Sequence, residues 1–146
     1  MKWVTRRHIR VNRTATAWLI RRFVDPQAMF LFCDPDQVAE IQRTQGAVGF
    51  DAPGASHPHR DEKGRCSFER LVEEHRLEDP ALRELSRIVH GADFGDEVGT
   101  TPESAGLRAI SRGFPLVAAS DPEILERACF LYDALYAALR EKHGLR

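Results

Sequence analysis

Apolar and polar residues follow two different periods along this chain, and the longer one dominates its C-terminal half. Leu125, Ala128, Leu131, Tyr132, Leu135, Tyr136 and Leu139 recur at steps of three and four, which predicts a long amphipathic helix from Pro122 to about Lys142. Leu82, Leu85, Ile88 and Val89 predict another from Pro80 to His90. Near the N-terminus, Thr16, Leu19, Ile20 and Phe23 form an apolar arc on a helix running from about Arg13 to Val24. Further helices are expected at 35–45, 67–75 and 102–112. Short apolar runs at Trp3–Arg6, Ala28–Cys33 and Ala47–Phe50 read as strands, the third weakened by Gly49. Asp34, Asp79, Thr101 and Asp121 each stand just before a proline, the pattern of a capping residue followed by Pro in the first helical turn. Gln37 completes a capping box with Asp34, and Ser67 is expected to cap the helix that follows it. Long loops are expected at 51–64 and 91–99.

These elements add up to an α+β fold. A small sheet near the N-terminus is packed by about six helices, and the C-terminal half is dominated by helix. With 146 residues, no repeat and no linker-like stretch, the chain is expected to be one domain covering 1–146 with a real hydrophobic core.

Composition narrows the function. Net charge is −1, so no overall field draws the molecule to nucleic acid or acidic lipid. Basic residues nonetheless gather early (Lys2, Arg6, Arg7, Arg10, Arg13, Arg21, Arg22), which favours a local anion site over a DNA-binding face. Cys33, Cys66 and Cys129 are odd in number and widely spaced; a disulfide framework is not expected, and a reducing cytoplasm is the default. No apolar run reaches the ~18 residues of a membrane span. Dinucleotide, P-loop, nucleophile-elbow and HExxH signatures are absent, as is a helix-turn-helix pattern.

Candidate chemistry falls in three places. Arg13 and Arg21, with Ala17 between them, edge the apolar face of the first helix at i, i+4 and i+8, while Arg22 points further round. Guanidinium forks beside an apolar edge suit an oxyanion; a solvated basic edge is the plain alternative. The loop from Phe50 to Cys66 holds Asp51, His57, His59, Arg60 and Asp61, and a loop this long in a small domain is usually functional. His59 is a candidate anion donor or general acid–base, with Arg60 beside it. His57 and His59 form a weak zinc pair, because no second pair stands at zinc spacing. Cys66 precedes a helix, where the macrodipole favours a thiolate, but a small, inert, buried hydrophobe is the plainer reading. Asp93 and Glu103 follow, and Asp51, His59, Asp93 and Glu103 together are a candidate site for Fe, Mn or Zn. Asp133, on the polar side of the long helix, is a natural partner for Arg13, Arg21 or Arg22.

Taken together, KWVTR at 2–6, VNRTATAWLIRRFVDP at 11–26, FDAPG at 50–54, HR at 59–60, CSFERL at 66–71, DPALRELSRIVHGAD at 79–93, PESAGL at 102–107 and YDALYA at 132–137 resemble the chromate-resistance regulator family. The likeness is to the C-terminal domain of ChrB-type proteins, in family order and over nearly the whole chain. It departs where family members commonly carry Asp-Arg and this chain has Asn12-Arg13, and where they carry Cys-Pro before the Trp and this chain has Thr16-Ala17. The resemblance implies a cytoplasmic bacterial protein tied to chromate or oxidative metal stress. It supplies a ligand for the basic helix: a small oxyanion such as chromate, held by Arg13, Arg21, Arg22, His59 and Arg60. Full-length regulators carry a further N-terminal domain thought to contact DNA. This chain opens almost at the first matching residue, so the expectation is a stand-alone sensing or catalytic domain without direct nucleic-acid contact. A homodimer through the long C-terminal helix is a further expectation.

Overall fold

The first strand, β1 (Lys2–Arg6), lies at the centre of a three-stranded parallel sheet between β2 (Met29–Cys33) and β3 (Val48–Gly49). The structure is a computed structural model and describes residues 1–145. Parallel neighbours require crossover connections. The first is α1 (Val11–Leu19) with a π-helical turn at Ile20–Val24, where the Asp25 N–H donates to the Ile20 carbonyl at 2.7 Å. The second is a 3-10 turn (Pro35–Gln37) leading into α2 (Val38–Gln45). The remainder is helical: α3 (Ser67–Glu74), α4 (Pro80–Asp93), a 3-10 segment (Gly95–Thr100), α5 (Pro102–Val117) and α6 (Asp121–Lys142). The α+β reading is therefore correct, with the sheet confined to the first third of the chain.

Helix α1 is the hub of the core. It packs against α3, α4, α5 and α6, and every residue from Val11 to Ile20 except Arg13 is buried. Trp18 is the largest of them. Its indole lies parallel to Phe68 and meets Phe23, Tyr132 and Tyr136 at an angle, an aromatic cluster that joins α1 to α3 and α6. The polar tips within this core are paired. The Tyr132 hydroxyl donates to the Val11 carbonyl at 3.0 Å and shares a 2.7 Å bond with the Thr14 hydroxyl.

Several expected boundaries shift for local reasons. Cys66, not Ser67, occupies the N-cap of α3: its sulfur accepts from the Glu69 N–H, and the Glu69 carboxylate accepts from the Cys66 N–H. Ser120, not Asp121, caps α6, and the Asp121 carboxylate instead accepts the backbone N–H groups of His8 and Ile9. Gly91 does not end α4. A Cβ there would lie 2.5 Å from the Ser104 hydroxyl and 2.7 Å from that of Thr100, so glycine allows α5 and the 3-10 segment to approach while the helix runs on to Asp93. The expected 91–99 loop thus shrinks to a sharp corner at Phe94. Helix α5 continues past 112 to Val117, with Pro115 inside it.

Candidate functional site

Asp51 is the centre of the charged cluster the fold assembles. The chain leaves β3 and turns back on itself, His57 donating to the Gly49 carbonyl and Asp51 donating to that of His57 at 2.7 Å. Asp51 adopts a left-handed conformation (φ 50°), which Asp tolerates better than most residues, and is 1% exposed. One carboxylate oxygen takes His59 Nδ1 at 2.6 Å and Arg6 at 3.4 Å; the other takes Arg13 Nη1 at 3.2 Å. Arg6 also donates to the Asp51 carbonyl, and Arg13 to that of His8. Asp93, on the last turn of α4, places its Oδ2 3.6 Å from His59 Nδ1. That oxygen is buried with no donor facing it, and the buried Arg13 Nε has no acceptor.

Titration follows from this crowding. Burial, reinforced by the neighbouring Asp51 charge, pushes the Asp93 carboxyl up to about 6. Its hydrogen bond to Asp51 raises the His59 imidazole above its ordinary value. Burial lowers the Arg13 guanidinium, against the opposing pull of Asp51. Single ligand atoms from Asp51, His59 and Asp93 lie within 4.8 Å of one another, a spacing and donor set compatible with a divalent cation.

Beside this trio is a cleft of about 200 Å³ lined by Arg10, Arg13, Asp93, Arg108 and Arg112, with Ser111 at its base. Arg108 is fixed by hydrogen bonds to the Ala92 and Asp93 carbonyls, C-terminal acceptors of α4 that have no partner within the helix. Arg10 and Arg112 are exposed, and neither has an ion-pair partner among the described residues.

The expected arginine stripe of α1 does not form one site. Eight residues at about 100° each leave an offset of about 80°, and Arg13 and Arg21 also stand roughly 12 Å apart along the axis. Arg13 turns to Asp51, whereas Arg21 turns to α6, where it pairs with Glu126 at 3.0 Å. Arg22 forms a two-point pair with Asp133, which also accepts the Trp18 indole N–H at 2.7 Å. Asp133 is thus a partner of Arg22, as the sequence suggested. Arg60 lies 4.2 Å over the Phe94 ring and pairs with Glu97. Glu103 stands apart from the trio in the first turn of α5, lining a shallow apolar groove with Leu107 and Leu135. His57 and His59 do not form a pair: His57 bonds Glu74 at 2.7 Å, since alternate residues of an extended segment face opposite ways.

The sequence reading counted Arg6 and Arg10 among the early basic residues without assigning them to a site, and missed Glu69, His90, Arg108 and Arg112. A signal existed for three of them. Arg108 and Arg112 are spaced i, i+4 on one helix, and His90 and Asp93 are spaced i, i+3 once α4 is allowed to pass Gly91.

The model of the "ChrB, C-terminal domain" family matches residues 3–139. Protein ChrB of Cupriavidus metallidurans is 38% identical over 138 residues, an alignment that takes in 92% of this chain and 40% of that protein. The chain therefore spans well under half of that relative's length. No solved structure matches, and no helix among the described residues is long and apolar enough to cross a membrane. A family match over nearly the whole chain, with a relative 38% identical over 92% of it, establishes that the chain belongs to the ChrB C-terminal-domain family.

Proposed function

We propose that this domain is an oxyanion-binding sensor unit, and that its anion, chromate in the context of the family, occupies the cleft between α1, the end of α4 and α5. One observation carries the reading. Four guanidinium groups, from Arg10, Arg13, Arg108 and Arg112, line a single small cleft in which the only carboxylate, Asp93, holds its proton unusually well. Guanidinium donors match the edges of a tetrahedral dianion, and Asp93, whose carboxyl titrates at about 6, adds a donated hydrogen bond below that pH and repels the anion above it. A volume of about 200 Å³ has room for one such ion with part of its hydration shell. In this reading Arg13 keeps the role expected of it, His59 stands behind it on Asp51 rather than lining the cleft, and Arg21, Arg22 and Arg60 give way to Arg10, Arg108 and Arg112.

Isothermal titration with chromate and with sulfate tests the assignment. Arg112→Ala and Arg13→Ala weaken binding about tenfold or more, the scale of one or more charge-assisted bonds; Arg21→Ala leaves it unchanged. Equal affinities across all four proteins reject the cleft.

A second reading, a metal centre at Asp51, His59 and Asp93, is favoured by the orphaned Asp93 Oδ2. Two carboxylates and an imidazole suit Mn, Fe or Zn, and such an ion would neutralise the acidic residues beside the cleft. Metal analysis of the purified protein against Asp93→Ala distinguishes this reading from one in which the trio holds only protons.

A further inference from the structure

A second group of ligating side chains stands on the other side of Phe94. Cys66 Sγ, a Glu69 carboxylate oxygen and a His90 ring nitrogen lie within 4.8 Å of one another. Phe94 separates this trio from the first, with its ring centroid 4.6 Å from that of His90 and 5.2 Å from that of His59. We propose that Cys66, Glu69 and His90 bind a divalent, thiol-seeking metal ion of the zinc class, at a site distinct from the arginine cleft and independent of what that cleft binds.

The geometry is that of ligands held in advance by backbone structure. Cys66 is the N-cap of α3 and Glu69 its third helical residue, so one turn of helix fixes both relative to each other. His90 comes from α4, which packs against α3, and Gly91 lets that stretch of α4 sit tightly beneath α5. One ring nitrogen of His90, Nδ1, faces Glu69 Oε1 at 2.5 Å; the other, Nε2, faces Glu97 Oε2 at 2.5 Å. An imidazole that ligates a metal through one nitrogen and donates the other N–H to a carboxylate is the common arrangement at zinc centres, where the outer carboxylate fixes the tautomer and ring orientation. Glu97 is in turn held by Arg60 at 3.2 Å.

Charge accounting points the same way. A Cys66 thiolate and the Glu69 carboxylate carry two negative charges and a neutral His90 carries none, so one divalent cation brings the set to neutrality. Sulfur, nitrogen and oxygen donors together favour zinc over the hard cations. Three protein ligands leave a fourth tetrahedral position for water or an exchangeable ligand. Binding displaces the thiol proton of Cys66, so uptake releases protons and strengthens as pH rises.

Cobalt(II) provides the test, because a thiolate ligand gives a near-ultraviolet charge-transfer band that the sulfur-free trio of Asp51, His59 and Asp93 cannot give. Chelator-treated protein titrated with cobalt develops this band at one equivalent. Cys66→Ser abolishes it, and since serine is a favoured N-cap the start of α3 survives, as circular dichroism verifies. His90→Gln weakens cobalt uptake, and Glu97→Gln weakens it by about 10- to 100-fold, the usual effect of removing an outer carboxylate. Absence of the band in the unaltered protein overturns the proposal. So does a band that persists in Cys66→Ser, which would assign it to Cys33 or Cys129. Neither outcome bears on anion binding by the Arg112→Ala or Arg13→Ala proteins.

Discussion

The two flanks of α1 treat their charges in opposite ways. Toward α6 each arginine meets its own carboxylate: Arg21 pairs with Glu126, and Arg22 with Asp133. These pairs sit at the rim, with both partners of the second more than a third exposed. Toward the 51–64 loop, one buried carboxylate serves Arg6, Arg13 and His59 together, while a second, Asp93, has an oxygen with no donor. The first flank is closed chemistry that contributes to packing. The second is incomplete chemistry held in place by the surrounding fold, and that mismatch between a well-packed frame and unsatisfied charge is what the proposed anion site rests on.

Breaking the second flank at its centre gives the largest effect. Asp51→Ala strands two guanidinium groups and an imidazole, leaving Arg6 and Arg13 only backbone carbonyls as acceptors. It also puts alanine at φ 50°. Removing one partner of a buried ion pair costs about 3–5 kcal/mol. Urea unfolding should show a loss of that order, or a protein that no longer folds at 37 °C. Asp51→Asn keeps the tolerated backbone and separates strain from charge. A loss below ~1 kcal/mol in Asp51→Ala would mean the cluster adds little to the fold.

Asp93 sharpens the contrast through pH. In metal-free protein its carboxyl titrates near 6, above the ordinary value of 3.8, so between those two pH values the folded chain binds more protons than the unfolded one. Stability from this group is therefore present at low pH and falls as pH rises from about 4 to 6, with the deficit constant above. Asp93→Asn removes the deficit. It should stabilise the chelator-treated protein at pH 7.5, by on the order of 1–2 kcal/mol, and by almost nothing near pH 4. Thermal melts across that range decide; a variant less stable than the parent at pH 7.5 contradicts the burial argument.

How much of this was legible beforehand depends on whether the signal is local. Asp34, Asp79 and Thr101 read correctly as caps because capping is settled within four residues. Asp121 did not, because its carboxylate is claimed by the backbone of residues 8 and 9, far away in sequence. Arg13, Asp51, His59 and Asp93 were legible as chemistry, and the fold does bring them together. What was not legible was Asp51 as their common hub with Arg6, since a loop lacks the periodicity that would say which way its side chain faces. Arg21 and Glu103 show the opposite error. Helical spacing placed one on a shared stripe and charge type placed the other with its fellow carboxylates, but tertiary packing turned Arg21 toward α6 and left Glu103 on an apolar groove.

The smallest effect expected is on the first flank. Arg22→Ala removes a two-point pair whose partners are both substantially exposed, so solvent already screens most of their attraction. Asp133 does not become an orphan, because it keeps the Trp18 indole N–H that ties α6 to α1. Its carboxyl, held below the usual range chiefly by the hydrogen bond from Arg22, should return toward that range, a change that two-dimensional NMR titration can follow. The stability loss should be ~0.5 kcal/mol and shrink further in high salt. Anion affinity should not change at all, because Arg22 and the cleft of Arg10, Arg13, Arg108 and Arg112 lie on different flanks of the helix. A drop in chromate or sulfate affinity in Arg22→Ala would dissolve the distinction between the two flanks and return the anion to the arginines of α1.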